Sequence, residues 1–359
     1  DIFADSDLPP FDRSQMDGFA VKSEDVQNAP VKLTIVGESI AGKRWEGELN
    51  HGEAVRIMTG AALPIGADSV QRIEATKEFN GFIEILEATK IGQFFVKKSS
   101  EITNGKQVFE KGEIINEKMI ASLASFGYAK IKVSQRPTIS ILATGSELVS
   151  VNEIPNQDEI RDSNSATLKA FAEKFAEIEN VEMIKDDLES IKSAIRNSQS
   201  AITILTGGVS MGDYDFTKPA LSELGAEIFF EKVCLKPGKP TVFAKLGEQL
   251  IFGLPGNPVS VIVTFLLFVR TTILQMQSAN NCSLKKGFAV CSDKIKGAKE
   301  RDCYLPVSLS TNKHGQLMIE SLRFTGSSNF IAFSRADALV FVAKGEILEA
   351  ESVAKIIFI

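Results

Sequence analysis

Ala201-Ile202-Thr203-Ile204-Leu205-Thr206-Gly207-Gly208-Val209-Ser210-Met211-Gly212-Asp213-Tyr214-Asp215 is the stretch that decides the fold. An apolar, β-branched run breaks off into a glycine loop. An α/β sheet presents backbone N–H groups to an anion in this way, beyond the carboxyl ends of its strands. Asp213 and Asp215 place two carboxylates in the same loop. Amide donors beside oxygen ligands able to hold a metal point to chemistry on a phosphate-bearing ligand with a divalent cation. In isolation, a tight turn joining a strand to a helix would read the same way. The neighbouring segments decide between the two.

Residues 136–277 alternate between strand and helix patterns. Strand 138–143 runs into Thr144-Gly145-Ser146-Glu147, followed by an amphipathic helix over 166–178, a short strand at 181–184 and a helix over 188–197. Beyond the glycine loop come a helix over 218–224, a strand over 227–233 and a hairpin of 240–245 with 249–252. A long helix over 258–276 closes the unit, with Pro258 at its first turn, where a missing N–H is tolerated. Such alternation predicts a mostly parallel sheet covered on both faces. Residues 30–91 instead carry short β runs at 31–36, 54–58, 69–73 and 82–86, separated by glycine and asparagine. They predict a small inserted β domain. Residues 281–359 carry further β runs, at 338–343 and 353–359, and predict a C-terminal β domain.

The chain has 359 residues, 44% hydrophobic and 24% charged, which is an ordinary globular composition long enough for two or three domains. A net charge of −6 argues against generic nucleic-acid binding, so any anion site must gather positive charge locally. Four cysteines without a C-x-x-C pair, and only two histidines, argue against zinc and fit a reduced cytoplasm. No signal peptide or polybasic tail is visible. The most apolar run, 259–269, is too short to span a bilayer and predicts a buried helix, so no membrane is expected. The sequence opens without a methionine in an extended, proline-containing segment, and the expectation is that an N-terminal element is missing.

Three more loops carry chemistry. Lys236-Pro237-Gly238-Lys239-Pro240 sets two ammonium groups in a turn whose prolines restrict it, so both can meet one oxyanion at low ordering cost. Leu254-Pro255-Gly256-Asn257-Pro258 opens the long helix, where free amides and the helix dipole favour a negative group unless Asn257 caps the helix itself. Glu147, after the first strand, can accept from a hydroxyl or amino group. Loops that follow parallel strands gather on one sheet edge, and this convergence outweighs any single motif. Asp17-Gly18 reads as a turn, and Arg56-Ile57-Met58-Thr59-Gly60 ends a β run in a hydroxyl and a glycine.

In this order the pieces resemble the molybdopterin molybdenumtransferases, the family of bacterial MoeA and the gephyrin E domain. The matching segments are Pro10 to Ser14 with Met16-Asp17-Gly18, Arg56 to Gly60 with Gly66-Ala67-Asp68, Ala143 to Leu148, Gly207 to Gly212, Lys236 to Pro240 and Gly253 to Pro258. They cover nearly the whole chain and are specific together. The resemblance implies insertion of molybdate into adenylylated molybdopterin with Mg²⁺-dependent release of AMP. It also implies an elongated four-part subunit that forms a homodimer, served by an upstream adenylyltransferase and by downstream proteins that mature molybdoenzymes. Residues 1–29 and 92–135 would form a linking domain, 30–91 the small β domain, 136–277 the pterin- and nucleotide-binding domain and 281–359 the C-terminal domain.

By this resemblance Asp17, Thr59, Glu101 and Asp215 are the catalytic positions, with Asp17, Glu101 and Asp215 holding Mg²⁺. Glu147, Gly207, Gly208, Ser210, Asp213, Pro255, Gly256 and Asn257 would contact the substrate, and Lys236 and Lys239 the molybdate, with Arg301 and Ser327 completing that pocket. One segment departs from the family. A basic run followed by Gly-Glu-Asp is usual, and here it reads Lys97-Lys98-Ser99-Ser100-Glu101, keeping a carboxylate one methylene longer. No Ser-His-Asp array is present, which disfavours a covalent acyl mechanism. Two other readings stay open: a related adenylyltransferase, and a scaffold or catalytically weakened paralogue.

Overall fold

The computed structural model describes residues 1–208, 216–322 and 326–359. They form two compact units, Asp1–Ile131 and Lys132–Ile359.

The first unit is built on a six-stranded sheet of β1 (Gly18–Val21), β2 (Val31–Ser39), β3 (Glu53–Ile57), β4 (Ser69–Arg72), β5 (Thr76–Phe79) and β6 (Phe82–Ile85). Its spatial order is β4-β1-β3-β2-β6-β5. Strand alternation buries Phe19, Val21, Ile83 and Ile85 on one face and Ala20, Val55, Ile57 and Val70 on the other. The sheet draws β1 from upstream of residue 30. Gly18 makes this possible, because a Cβ there would lie 1.9 Å from the Gln71 carbonyl oxygen of β4. Outside the sheet, Ile2–Phe3 pairs with Gln107–Phe109, Arg13–Ser14 pairs with Phe95–Val96, and α1 (Glu117–Ser125) is capped by the Asn116 side chain.

The second unit contains the α/β sheet that the alternating pattern implied. Its elements are β7 (Thr138–Thr144), α2 (Ser163–Ala172), β8 (Glu177–Ile184), α3 (Leu188–Asn197), β9 (Ile202–Thr206), α4 (Thr217–Glu223), β10 (Glu227–Phe230), β11 (Val242–Leu246), β12 (Gln249–Leu254) and α5 (Pro258–Met276). The order is β8-β7-β9-β12-β11-β10, with β8, β7, β9 and β12 parallel and β11 antiparallel to both neighbours. Ile202 and Ile204 face Leu168, Ala172 and the α5 residues Val259, Val263 and Phe265, whereas Leu205 faces Ile191, Ile195 and Leu221 of α3 and α4. Both faces are therefore covered, as a parallel sheet requires. By length and composition α5 could cross a membrane, yet its apolar residues from Val259 to Ile273 are packed in this core. A π-helical stretch interrupts it at Phe265–Val269.

Several element boundaries differ from the sequence expectation: β8 begins at Glu177 rather than 181, β10 ends at Phe230 rather than 233, and α2 is displaced at both ends. The helix expected over 166–178 begins earlier, because the Asp162 side chain caps it by accepting from Ser165 N–H at 2.9 Å. It also ends earlier, where Phe175 and Ala176 both donate to the Ala172 carbonyl and the chain turns into β8.

Residues beyond α5 form β13 (Lys286–Cys291), β14 (Asp302–Thr311), β15 (Leu317–Ser321), β16 (Ala338–Val342) and β17 (Val353–Phe358). Pairing of β14 with both β15 and β16 closes the ring β14-β15-β13-β17-β16 into a small barrel around Cys291, Val307, Ile319, Val340 and Ile356. The short strand Leu235–Lys236 adds to this barrel by pairing with Asp302 and Cys303.

Candidate functional site

The strand order reverses at β7, whose neighbours β8 and β9 lead away on opposite sides. A crevice opens at such a switch point, outside the carboxyl ends of the strands. Here a cavity of about 470 Å³ is lined by Thr144, Gly145 and Glu147 after β7, Asp186 after β8, Gly207 and Gly208 after β9, and Pro255 to Asn257 after β12. The glycines are required by geometry. Gly207 has φ +88° and a Cβ there would lie 2.0 Å from the Thr144 carbonyl, while at Gly208 (φ +60°) it would lie 2.7 Å from Thr144 Oγ1. Loop backbone is thereby brought against the cavity as no other residue type allows.

Three oxygens converge on Gly208. Thr144 Oγ1, Asp186 Oδ1 and Thr217 Oγ1 are buried without a hydrogen bond of good geometry among the described residues, although Thr144 lies near enough to Asp186 to temper the rise of its carboxyl. Buried polar atoms are rarely left so, and these oxygens make the edge of the cavity at Gly208 polar. Burial, followed by the nearby charges of Glu147 and Asp187, holds the Asp186 carboxyl above its ordinary value. Asn164 braces the same edge, donating from Nδ2 to Thr206 Oγ1 at 3.1 Å and to the Gly256 carbonyl at 2.8 Å. Sequence reasoning missed both Asp186 and Asn164.

A second cavity, of about 570 Å³, shares Pro240, Pro255 and Asn257 with the first. It is lined by Lys236 and Lys239, and also by Arg301 and Ser327. The Lys-Pro-Gly-Lys turn is locked in place. Thr241 Oγ1 donates to the Gly238 carbonyl at 2.6 Å, Val233 N–H donates to the Lys239 carbonyl at 2.9 Å, and Gly238 has φ +115°. Arg301 is fixed to the same turn, donating to the Leu235 carbonyl at 3.3 Å. Lys294 and Lys296 also line this cavity and went unnoticed in the sequence. Among the described residues that line it there is no carboxylate.

The start of α5 offers fewer free amides than its sequence promised. Pro258 has none, and Val259 N–H donates to the Ser327 carbonyl at 3.0 Å. That bond instead carries Ser327 to the cavity wall. Asn257 does not cap the helix through its side chain.

In the N-terminal unit, the pairing of Gly18 with Ile57 brings Asp17 beside Thr59, which donates twice to Asp17 Oδ1. These bonds, the backbone one foremost, hold the Asp17 carboxyl below its ordinary value. Oδ2 has no hydrogen-bond partner among the described residues, so an ionised Asp17 keeps one hard oxygen for a cation. Glu101 is exposed, its N–H donating to the Leu8 carbonyl at 3.0 Å. Ser210, Asp213 and Asp215 lie outside the described residues. Among the described residues no group of three or more acids, histidines or cysteines is placed to hold a metal.

The sequence matches three families in succession: the MoeA N-terminal region (domain I and II) over residues 1–127, a probable molybdopterin binding domain over 140–275, and the MoeA C-terminal region (domain IV) over 289–358. It is 34% identical to a molybdopterin molybdenumtransferase of Staphylococcus aureus (strain MSSA476), over 96% of this chain and 84% of that protein. A molybdopterin molybdenumtransferase of Haemophilus influenzae is 33% identical, over 98% and 89%. The crystal structure of a molybdopterin biosynthesis moeA protein from Pyrococcus horikoshii OT3 superposes with a TM-score of 0.82 at 26% identity, covering all of this chain and 90% of that one.

Proposed function

Because the chain belongs to the MoeA family of molybdopterin molybdenumtransferases, transferases of molybdenum cofactor biosynthesis, we propose that it inserts molybdate into adenylylated molybdopterin and releases AMP with the help of Mg²⁺. The observation that carries this reading is the pair of adjoining cavities. One is walled by lysines and an arginine, with no carboxylate among the described lining residues, the other by glycine-loop backbone and two acids, and they meet at Pro240, Pro255 and Asn257.

Charge divides the work. Lys236, Lys239 and Arg301 hold the molybdate dianion, which would be poorly retained beside acids. Amides at Gly207 and Gly208 receive phosphate oxygens. Glu147 accepts from a hydroxyl or amino group of the substrate. Asp186, protonated to higher pH than an ordinary carboxyl, can donate a hydrogen bond as well as accept one. Asp17, Glu101 and Asp215 are the residues that would hold Mg²⁺, and when bound the ion would offset charge developing on the departing phosphate. All four cysteines are free, which supports a reducing cytoplasmic setting. We also propose that the protein works as a homodimer between an adenylyltransferase and proteins that mature molybdoenzymes.

The test is molybdate-dependent AMP release from adenylylated molybdopterin. Asp215→Asn should abolish release and spare nucleotide binding, and Lys236→Ala should lose molybdate affinity. AMP release indifferent to molybdate would sink the proposal. Adenylylation of metal-free pterin from ATP would favour the adenylyltransferase reading instead.

A further inference from the structure

Lys294 and Lys296 reach the cation-lined cavity from the C-terminal barrel, opposite the Lys-Pro-Gly-Lys turn. They differ in one respect. The Lys294 ammonium is engaged by Glu349 at 2.7 Å, so its charge is already matched. Lys296 has no carboxylate within ion-pairing distance among the described residues.

The backbone that carries Lys296 is rigid. Ile295, on one side, is 3% exposed, and Ile295–Lys296 pairs with Ile347–Leu348. Gly297, on the other side, donates to the Glu346 carbonyl at 3.2 Å, and a Cβ there would lie 2.8 Å from Val342 Cγ1 and 3.1 Å from that same carbonyl. A lysine between a buried isoleucine and a glycine pressed against the next strand is presented to the cavity by a fixed strand. Supporting elements of this kind are what hold binding groups in place. Lys296 is exposed and hydrated, but it shares one cavity lining with Lys236, Lys239 and Arg301, and a dianion placed among them would be attracted by all four.

We propose that Lys296 is a further positioning residue for the tetrahedral oxyanion, holding it from the barrel wall while Lys236, Lys239 and Arg301 hold it from the other side. The Lys294–Glu349 pair acts as a strut beside it. This inference rests on the cavity being the oxyanion site, and the test separates the two claims.

Calorimetric titration of the full chain with sodium molybdate, at fixed ionic strength, would compare the unaltered protein with Lys236→Ala, Lys296→Gln, Lys296→Arg and Lys299→Gln. Lys299 is exposed and does not line the cavity. Lys296→Gln should weaken molybdate binding by roughly three- to tenfold, as the loss of one charge contact at a partly solvated site does. Lys296→Arg should recover most of it, and Lys299→Gln should change nothing. A parallel titration with AMP should give one affinity throughout. Lys236→Ala losing molybdate while Lys296→Gln binds normally would overturn the role of Lys296 alone. Weakening of AMP instead of molybdate would overturn it too, by assigning the charge to a phosphate. Undiminished molybdate binding by Lys236→Ala would overturn the cavity assignment itself.

Discussion

Thr59 gives both its backbone N–H and its hydroxyl to one oxygen of Asp17, at 2.6 and 2.7 Å. Two donors on one oxygen favour the ionised carboxylate, and so the Asp17 carboxyl lies below its ordinary value. A carboxyl depressed by folding adds stability above its unfolded value, and that share is lost as pH falls through the folded one. Thr59→Val removes only the hydroxyl, so the Asp17 pKa should rise part of the way back. Thr59→Ser should keep it low. Carboxyl titration by NMR checks this, and an unmoved Asp17 in Thr59→Val would refute the hydroxyl's share. AMP release should fall in Thr59→Val and persist in Thr59→Ser.

Ser99 has φ +63°, in the left-handed region, at the place where the family usually has glycine. A serine pays conformational strain there of about 1 kcal/mol relative to glycine, partly offset by the extra freedom glycine has when unfolded. Its hydroxyl also helps depress Asp7, after Asn104 and Lys98. Ser99→Gly should therefore stabilise the N-terminal unit by about 0.5 kcal/mol or leave it unchanged. Denaturant unfolding followed by a probe in that unit measures the difference. A clear loss of stability would mean that the hydroxyl outweighs the strain.

Legibility in the sequence followed the chain's local chemistry. The loops at Gly207 and Pro255 were readable because each follows a strongly apolar strand, and the Lys236 turn because its glycine and prolines have a backbone reason. Asp186 was not readable, because it follows the strand read at 181–184 in Lys185-Asp186-Asp187, which has no glycine or proline to mark a loop with a backbone reason. Lys294 precedes, and Lys296 ends, a strand of only two residues, Ile295–Lys296, which is too short to give a periodic signal. Lysines on either side of one buried isoleucine were the sole clue. Asn164 was masked by the late helix start, since its role depends on Asp162 capping two residues before it.

At Gly208 the left-handed backbone and the crowding can be separated. Gly225 has φ +75° with nothing within 4 Å of an added Cβ, whereas at Gly208 the Cβ would lie 2.7 Å from Thr144 Oγ1 and 3.2 Å from Asp186 Oδ1. Gly225→Ala should cost about 1 kcal/mol and leave nucleotide binding intact. Gly208→Ala should cost about 1–3 kcal/mol and also weaken nucleotide binding, because it pushes against the oxygens that converge there. Thermal unfolding and AMP titration on the two variants make the comparison. Equal effects would show that the convergence at Gly208 is incidental.

Asp186 trades stability for its position. Burial raises its carboxyl first, and the charges of Glu147 and Asp187 raise it further. A carboxyl whose folded value exceeds its unfolded one contributes fully below the unfolded value, and that contribution is lost as pH rises through the folded one. Asp186→Asn has no charge to bury, so its melting temperature should gain on the unaltered protein as pH climbs from the ordinary carboxylate range toward neutrality. Glu147→Gln removes the second cause but not the first, so it should lower the Asp186 pKa only in part. If the site needs the carboxyl, Asp186→Asn will be the more stable protein at pH 7 and the poorer at AMP release. A melting-temperature gap that stays flat with pH would show that Asp186 ionises freely, and the crowding of acids around Gly208 would then carry no cost to the fold.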